Sequence, residues 1–194
     1  MVSATAPRNG VMEWTSTLLE QLTFHWEHQA RPRLDGLGDD EYLWEPAPGA
    51  WSVRPRAESV TAMAAGGGDL VIDFEIPEPV PPPVTTIAWR LGHVTVGVFG
   101  ARNAAHFGGP PTNYQTCEWP GDASAALDRL DEAYARWVKG VRSLDETKLS
   151  QPCGPSEGVF GGLPYAALVL HINREAIHHL AEVALLRDLH GARH

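Results

Sequence analysis

Cysteine is nearly missing from this sequence. Among 194 residues only Cys117 and Cys153 occur, with no Cys-x-x-Cys pair, which excludes a disulfide framework and a thiolate zinc site and fits a reducing compartment. Lysine is as scarce, at Lys139 and Lys148 alone, and the formal net charge is -9. A chain that acidic, with no basic stripe, is a poor ligand for nucleic acid or an anionic membrane surface. No apolar run reaches the length of about eighteen residues that a membrane span needs, and the first ten residues lack the apolar core of a secretory signal. The expectation is a soluble cytoplasmic protein with neither nucleic acid nor membrane as partner. Gly-x-Gly-x-x-Gly, Walker and Gly-x-Ser-x-Gly patterns are absent too, so no dinucleotide, P-loop or serine-hydrolase reading has support.

What remains is an ordinary globular composition, 43% hydrophobic and 20% charged, long enough for one domain over residues 1–194. Val11, Trp14, Leu18, Leu22 and Trp26 recur at three- and four-residue steps and predict a first helix over about 11 to 30, ended with the help of Pro32. Residues 31 to 56 read as loop, with one short turn capped by Asp39 or Asp40. Residues 57 to 83 carry three consecutive glycines (66 to 68) and the run Ile76-Pro-Glu-Pro-Val-Pro-Pro-Pro83. They read as an irregular insertion crossing one end of the fold, with a weak strand at Leu70 to Phe74. Ile87, Leu91, Val94, Val98, Ala101 and Ala105 mark a second helix, capped by Thr85 or Thr86 and stopped at Gly108. Asp122 caps a third, spaced by Leu127, Leu130, Tyr134, Trp137, Val141 and Leu144. Pro164 opens the fourth and Gly191 ends it. The fold class is therefore all-α, a four-helix bundle with a Pro/Gly-rich insertion between helices one and two.

The chemistry concentrates on the fourth helix. At 100° per residue His171, Glu175, His178 and His179 fall at about 0°, 40°, -20° and 80°, so one arc of about 100° holds three imidazoles and a carboxylate. The surrounding residues (Leu168, Val169, Leu170, Ile177, Leu180, Val183, Leu185, Leu186) are apolar almost all round, which predicts a buried helix with this stripe turned inward. Buried polar groups need partners, and a cation satisfies several at once. Glu175 and His179, four apart, can chelate one ion, and His93 in the second helix is the natural third ligand. Imidazole with carboxylate suits zinc best, then nickel or iron(II). His171 and His178 remain as alternate ligands or as partners that orient the ligands. A single Glu-x-x-His step at Glu175 and His178 is too little for a ferritin-type di-iron site, and the zincin order His-Glu-x-x-His is missing. Asn173 and Arg174, next to these ligands, are candidates for orienting an anionic substrate. His25 and His28 read as surface or groove residues, His106 as an end-of-helix residue, and Trp14, Trp26, Trp89 and Trp137 as core.

The stretches Leu34-Asp-Gly-Leu-Gly-Asp-Asp-Glu-Tyr-Leu-Trp-Glu-Pro46, Trp51-Ser-Val, Leu91-Gly-His-Val94 and Arg174-Glu-Ala-Ile-His-His-Leu-Ala-Glu182 together resemble the DinB superfamily over nearly the whole chain apart from 57 to 83. The resemblance implies an up-down-down-up four-helix bundle, often a homodimer, with a divalent metal between helices two and four. Glu175 stands where most members have histidine. In this the chain is similar to the mycothiol-dependent maleylpyruvate isomerase branch, whose His, Glu, His set carries over to His93, Glu175 and His179, although the extra C-terminal domain of that isomerase has no counterpart here. The implied activity is a thiol S-transferase or isomerase acting on a low-molecular-weight thiol and a small electrophile. Mycothiol is the cosubstrate that the Arg-, Ala-, Gly- and Pro-rich composition favours. The competing classes are a metal-activated hydrolase and a non-catalytic stress or binding protein.

Overall fold

A computed structural model describes residues 13–193. The architecture is mostly helical: four rods carry nearly all the regular structure, and a two-stranded ladder is the one sheet among the described residues. The first rod is α1 (Trp14–His25), which continues through a π-helical segment (Trp26–Ala30). Val11, expected within this rod, lies outside the described residues, as does His194. Of the spaced positions Leu22 and Trp26 are buried, Leu18 is half-buried next to the buried Leu19, and Trp14 is 49% exposed. A short helix α2 (Asp39–Tyr42) follows, and its Tyr42 is wholly buried.

The second rod is built from α3 (Ile87–Gly92), a π-helical stretch (His93–Gly100) and α4 (Ala101–Phe107). Its N-cap is Thr86, whose side chain accepts from the Trp89 amide. It stops at Gly108, where φ of 64° is left-handed and favours glycine. The third rod is α5 (Ala123–Arg142), capped by the Asp122 carboxylate accepting from the Ala125 amide. After a short α6 (Glu146–Ser150) and a 3-10 turn (Pro155–Phe160), the fourth rod is α7 (Tyr165–Gly191), with Pro164 just ahead of it. The rods pack in a ring: α1 contacts α7 and α5, and the second rod contacts the same two. The second and fourth rods are thus neighbours over α3 and the π-helical stretch, which the expected ligand set requires.

The insertion is more ordered than its composition suggests. Strand β1 (Val53–Pro55), within a stretch read as loop, pairs antiparallel with β2 (Leu70–Ile72), which falls inside the expected weak strand. Asp73, wholly buried, ties the segment together: its carboxylate accepts from the Ser52 amide, Arg54 Nε, the Ser59 hydroxyl and the Val60 amide at 2.8 to 3.1 Å. Its carbonyl accepts from Trp89 Nε1 at 2.8 Å, so the insertion is fastened to the second rod one turn before His93.

Candidate metal centre

His93 sits at the first position of the π-helical stretch, half-buried, with its ring stacked on Trp89 (5.2 Å, 12°). Its Nδ1 lies 2.6 Å from the hydroxyl of Tyr114. Two features bring that tyrosine in. The loop carrying it is turned by Asn113, whose side-chain oxygen accepts from the Gln115 and Thr116 amides. Gly97 then leaves the space: a Cβ there would stand 2.6 Å from the Tyr114 hydroxyl. Phe74 of the insertion stacks on the other side of Tyr114, at 5.8 Å. Both groups that fix the His93 ring are therefore backed by the insertion.

Across from it stands His179 of α7. The two rings meet edge to face with centroids 4.6 Å apart. His179 Nε2 is 3.7 Å from Glu175 Oε2, and His179 Nδ1 is 2.7 Å from Glu182 Oε2. The short contact assigns the Nδ1 proton, donated to the Glu182 carboxylate, and leaves the Nε2 lone pair on the Glu175 side. Arg90 pairs with Glu182 at 3.2 Å and is only 18% exposed, so the Glu182 charge is anchored from the second rod. Glu175 is paired instead with Arg174, whose side chain is 70% exposed.

The electrostatics leave three good donors. Burial first, then the neighbouring His179 and Arg90, push His93 down to about 3, so it is neutral at physiological pH. Burial also lowers His179, against the opposing pull of Glu182. The hydrogen bond from Arg174 holds Glu175 below the usual carboxylate range, and it stays ionised. Burial raises Tyr114, which remains a phenol able to serve His93 as acceptor.

The α7 stripe is not turned inward as a whole. His171 and His178 have side chains 47% and 62% exposed, while His179 is buried; Leu170 and Leu185, expected inside, are 56% and 57% exposed. An arc of about 100° is wide enough to begin in solvent and end in the core. Asn173 is also placed differently from expectation. It is buried, its oxygen accepts from Trp137 Nε1 and its nitrogen donates to the Leu18 carbonyl, so its amide is spent on joining three rods. Arg174 does face the cavity beside the site. His25 is buried and bonded to Gln29, not a surface group, and the His106 side chain is 2% exposed within a polar chain.

Glu182 is the residue that spacing should have supplied. Eleven positions beyond His171, it falls at about 20° on the same wheel. His178, His179 and Glu182 each offer a ligand atom, all within 4.8 Å of one another, so this group could hold a metal ion. Among the described residues this is the one group of three whose ligand atoms come so close; His93 and Glu175 each approach His179 but do not belong to it. No helix among the described residues is long and apolar enough to cross a membrane.

A family model described as the DinB superfamily matches residues 21–183, which takes in the second and third rods whole, part of the first and fourth, and His93, Glu175, His178, His179 and Glu182. No curated protein and no solved structure gives a match.

Proposed function

The chain belongs to the DinB superfamily, and from that premise we propose that it is a metal-dependent thiol S-transferase or isomerase, with a divalent cation on His93, Glu175 and His179. The reading is carried by one observation: imidazoles from two different rods approach to 4.6 Å beside a carboxylate 3.7 Å from one of them. Two neutral imidazoles and one ionised carboxylate suit zinc best, then nickel or iron(II). An ion held there lowers the pKa of a thiol that reaches it and so supplies nucleophilic sulfur at neutral pH.

The protein's own groups do the rest. Glu182 fixes the His179 tautomer and Tyr114 the orientation of His93, the role that carboxylates and hydroxyls commonly play behind metal ligands. Trp89 keeps water from one face of His93. Arg174 stands beside Glu175 with donors for an anionic group on the electrophile. Mycothiol is the thiol to try first, the cytoplasm the compartment and a homodimer the assembly.

Purified protein loaded with zinc is expected to retain about one ion per chain and to consume a bacterial thiol with monochlorobimane, and chelator should abolish the reaction. His93→Ala and Glu175→Ala should both lose the ion while keeping their helical circular dichroism. Failure of every bacterial thiol to give a metal-dependent adduct would overturn the transferase reading and, if the ion is retained, favour a hydrolase. The 4.8 Å group supports a second reading, an ion on His178, His179 and Glu182. His178→Ala would then release the metal and His93→Ala would not.

A further inference from the structure

The Pro155–Phe160 turn is fastened to the rods at one point. Its backbone hydrogen bonds stay within residues 153–163, and a neck closes its feet, where the Cys153 amide donates to the Leu163 carbonyl at 2.8 Å and the Gly154 amide to the Gly161 carbonyl at 2.9 Å. Beyond the neck it buries almost nothing: Pro155, Ser156 and Gly158 are exposed, Val159 is 92% exposed and Phe160 65%. Apolar burial does not hold such a segment down. What reaches the rods is the Glu157 side chain, 7% exposed, with Oε1 2.9 Å from His106 Nε2 and Oε2 accepting from Arg102 at 3.1 Å. Among the described residues no other side chain of the turn is hydrogen-bonded to the rods.

We infer that this turn is a lid, latched shut by Glu157, over a cavity of about 350 Å³ that opens between α4 and α7. The receiving side of the latch belongs to the rods and does not travel with the lid. Arg102 also donates to the Gly97 carbonyl at 2.7 Å, and His106, whose side chain is 2% exposed, meets the Tyr165 hydroxyl through Nδ1 at 3.1 Å. Two N–H donors, one of them a guanidinium, thus converge on one carboxylate, a tie both strong and directional.

Hinges stand at both feet. Gly154 has φ of 100°, and Gly161 and Gly162 follow the turn; a few residues at element ends absorb the backbone change of a closing loop. Glu157 and Phe160 supply the lid's part of the cavity wall, and His171 and Arg174 supply that of α7. Arg174 is bonded to Glu175, so a lid that swings out opens a way from solvent towards the proposed centre. Swinging back, it excludes water from the same path.

The protein carries its own reporter. Cys153 lines the cavity, is 5% exposed and has Sγ 3.5 Å from the Phe160 carbonyl, so the closed lid covers its thiol. Where the lid opens and closes faster than a reagent attacks, the labelling rate follows the open population.

The test is the rate at which dithiobis(nitrobenzoate) labels a chain carrying Cys117→Ser, in which Cys153 is the one thiol left. Glu157→Gln, which keeps the shape and removes the charge, should raise that rate at least about 10-fold, the effect of one lost charge-assisted hydrogen bond on an opening equilibrium. Arg102→Gln leaves Glu157 its bond to His106 and should raise the rate less. In the complementary Cys153→Ser chain, Cys117 reports on the fold at large, and Glu157→Gln should leave its rate unchanged. A Cys153 rate that Glu157→Gln does not alter would overturn the lid, and so would equal acceleration at both thiols, which means loosening of the whole fold. Neither zinc nor a thiol substrate takes part, so the result is independent of the transferase reading.

Discussion

The charge state of the centre is decided by burial of single residues before any ion arrives. His93 ordinarily titrates near 6.5 and is pushed down to about 3 in the fold, and His179 is lowered as well. The unfolded chain therefore takes up protons, as pH drops through 6.5, that the folded chain refuses until about pH 3. With more protons bound to the unfolded state, stability rises with pH in this window and is lost as pH falls. Metal-free protein should have a lower urea midpoint at pH 5.0 than at pH 7.5. Acidic residues elsewhere add to that slope, so the deciding comparison is His93→Gln, whose midpoint should vary less between the two pH values. A variant as steep as the wild type would mean that His93 is not held neutral by the fold. Gly97 sets a second test at this scale. Gly97→Ala drives a methyl into the Tyr114 hydroxyl and separates it from His93, and losses of this kind behind a ligand typically cost about 10- to 100-fold in metal affinity. Tyr114→Phe, which removes only the hydroxyl, should reproduce the affinity loss in a zinc competition titration with about 1 kcal/mol of destabilisation.

Elements were legible where one local rule sufficed. Thr86 and Asp122 cap the second and third rods where a polar residue precedes an apolar stripe, and Gly108 ends the second with a left-handed φ. Thr86 also donates to Ser52 at 2.9 Å while wholly buried, so Thr86→Ala removes two contacts and should lower stability by about 1 to 2 kcal/mol in urea unfolding. A loss of only a few tenths would show that neither contact matters. What could not be read depends on packing across the chain. The π-helical turns at 26–30 and 93–100 leave no periodic mark in apolar spacing. The ladder of Val53–Pro55 with Leu70–Ile72 has three residues a side, too few for an alternating pattern. The α7 stripe was found, but its rotation was not: which edge meets the core depends on the contacts of Ile172, Ala176 and His179 with the neighbouring rods. For the same reason nothing at the end of α4 signals that the Glu157 turn folds back over His106, an end-of-helix residue by its spacing.

For the molecule as a whole, the insertion fastens pieces distant in sequence, and the proposed ion would do the same. The buried Asp73 carboxylate gathers Ser52, Arg54, Ser59 and Val60, while its backbone holds Trp89 against His93. Asp73→Ala leaves Arg54, whose side chain is 13% exposed, without its one fully buried carboxylate partner, and breaking such a buried pair typically costs about 3 to 5 kcal/mol. Both thermal stability and metal affinity should fall together. The ion makes a sharper test, because a ligand bound only by the native state stabilises it by mass action, about 2.7 kcal/mol at a hundred times its Kd. For a chain of this size each kcal/mol is worth roughly 2 to 4 °C, so saturating zinc should raise Tm by roughly 5 to 10 °C, and EDTA should reverse it. Linking the second rod to the fourth requires His93, whereas a site on His178, His179 and Glu182 lies within α7 alone. If the inward set is right, His93→Ala loses the zinc shift and His178→Ala keeps it. The opposite result would move the ion to the face of α7 and leave His93 as a buried, hydrogen-bonded core histidine.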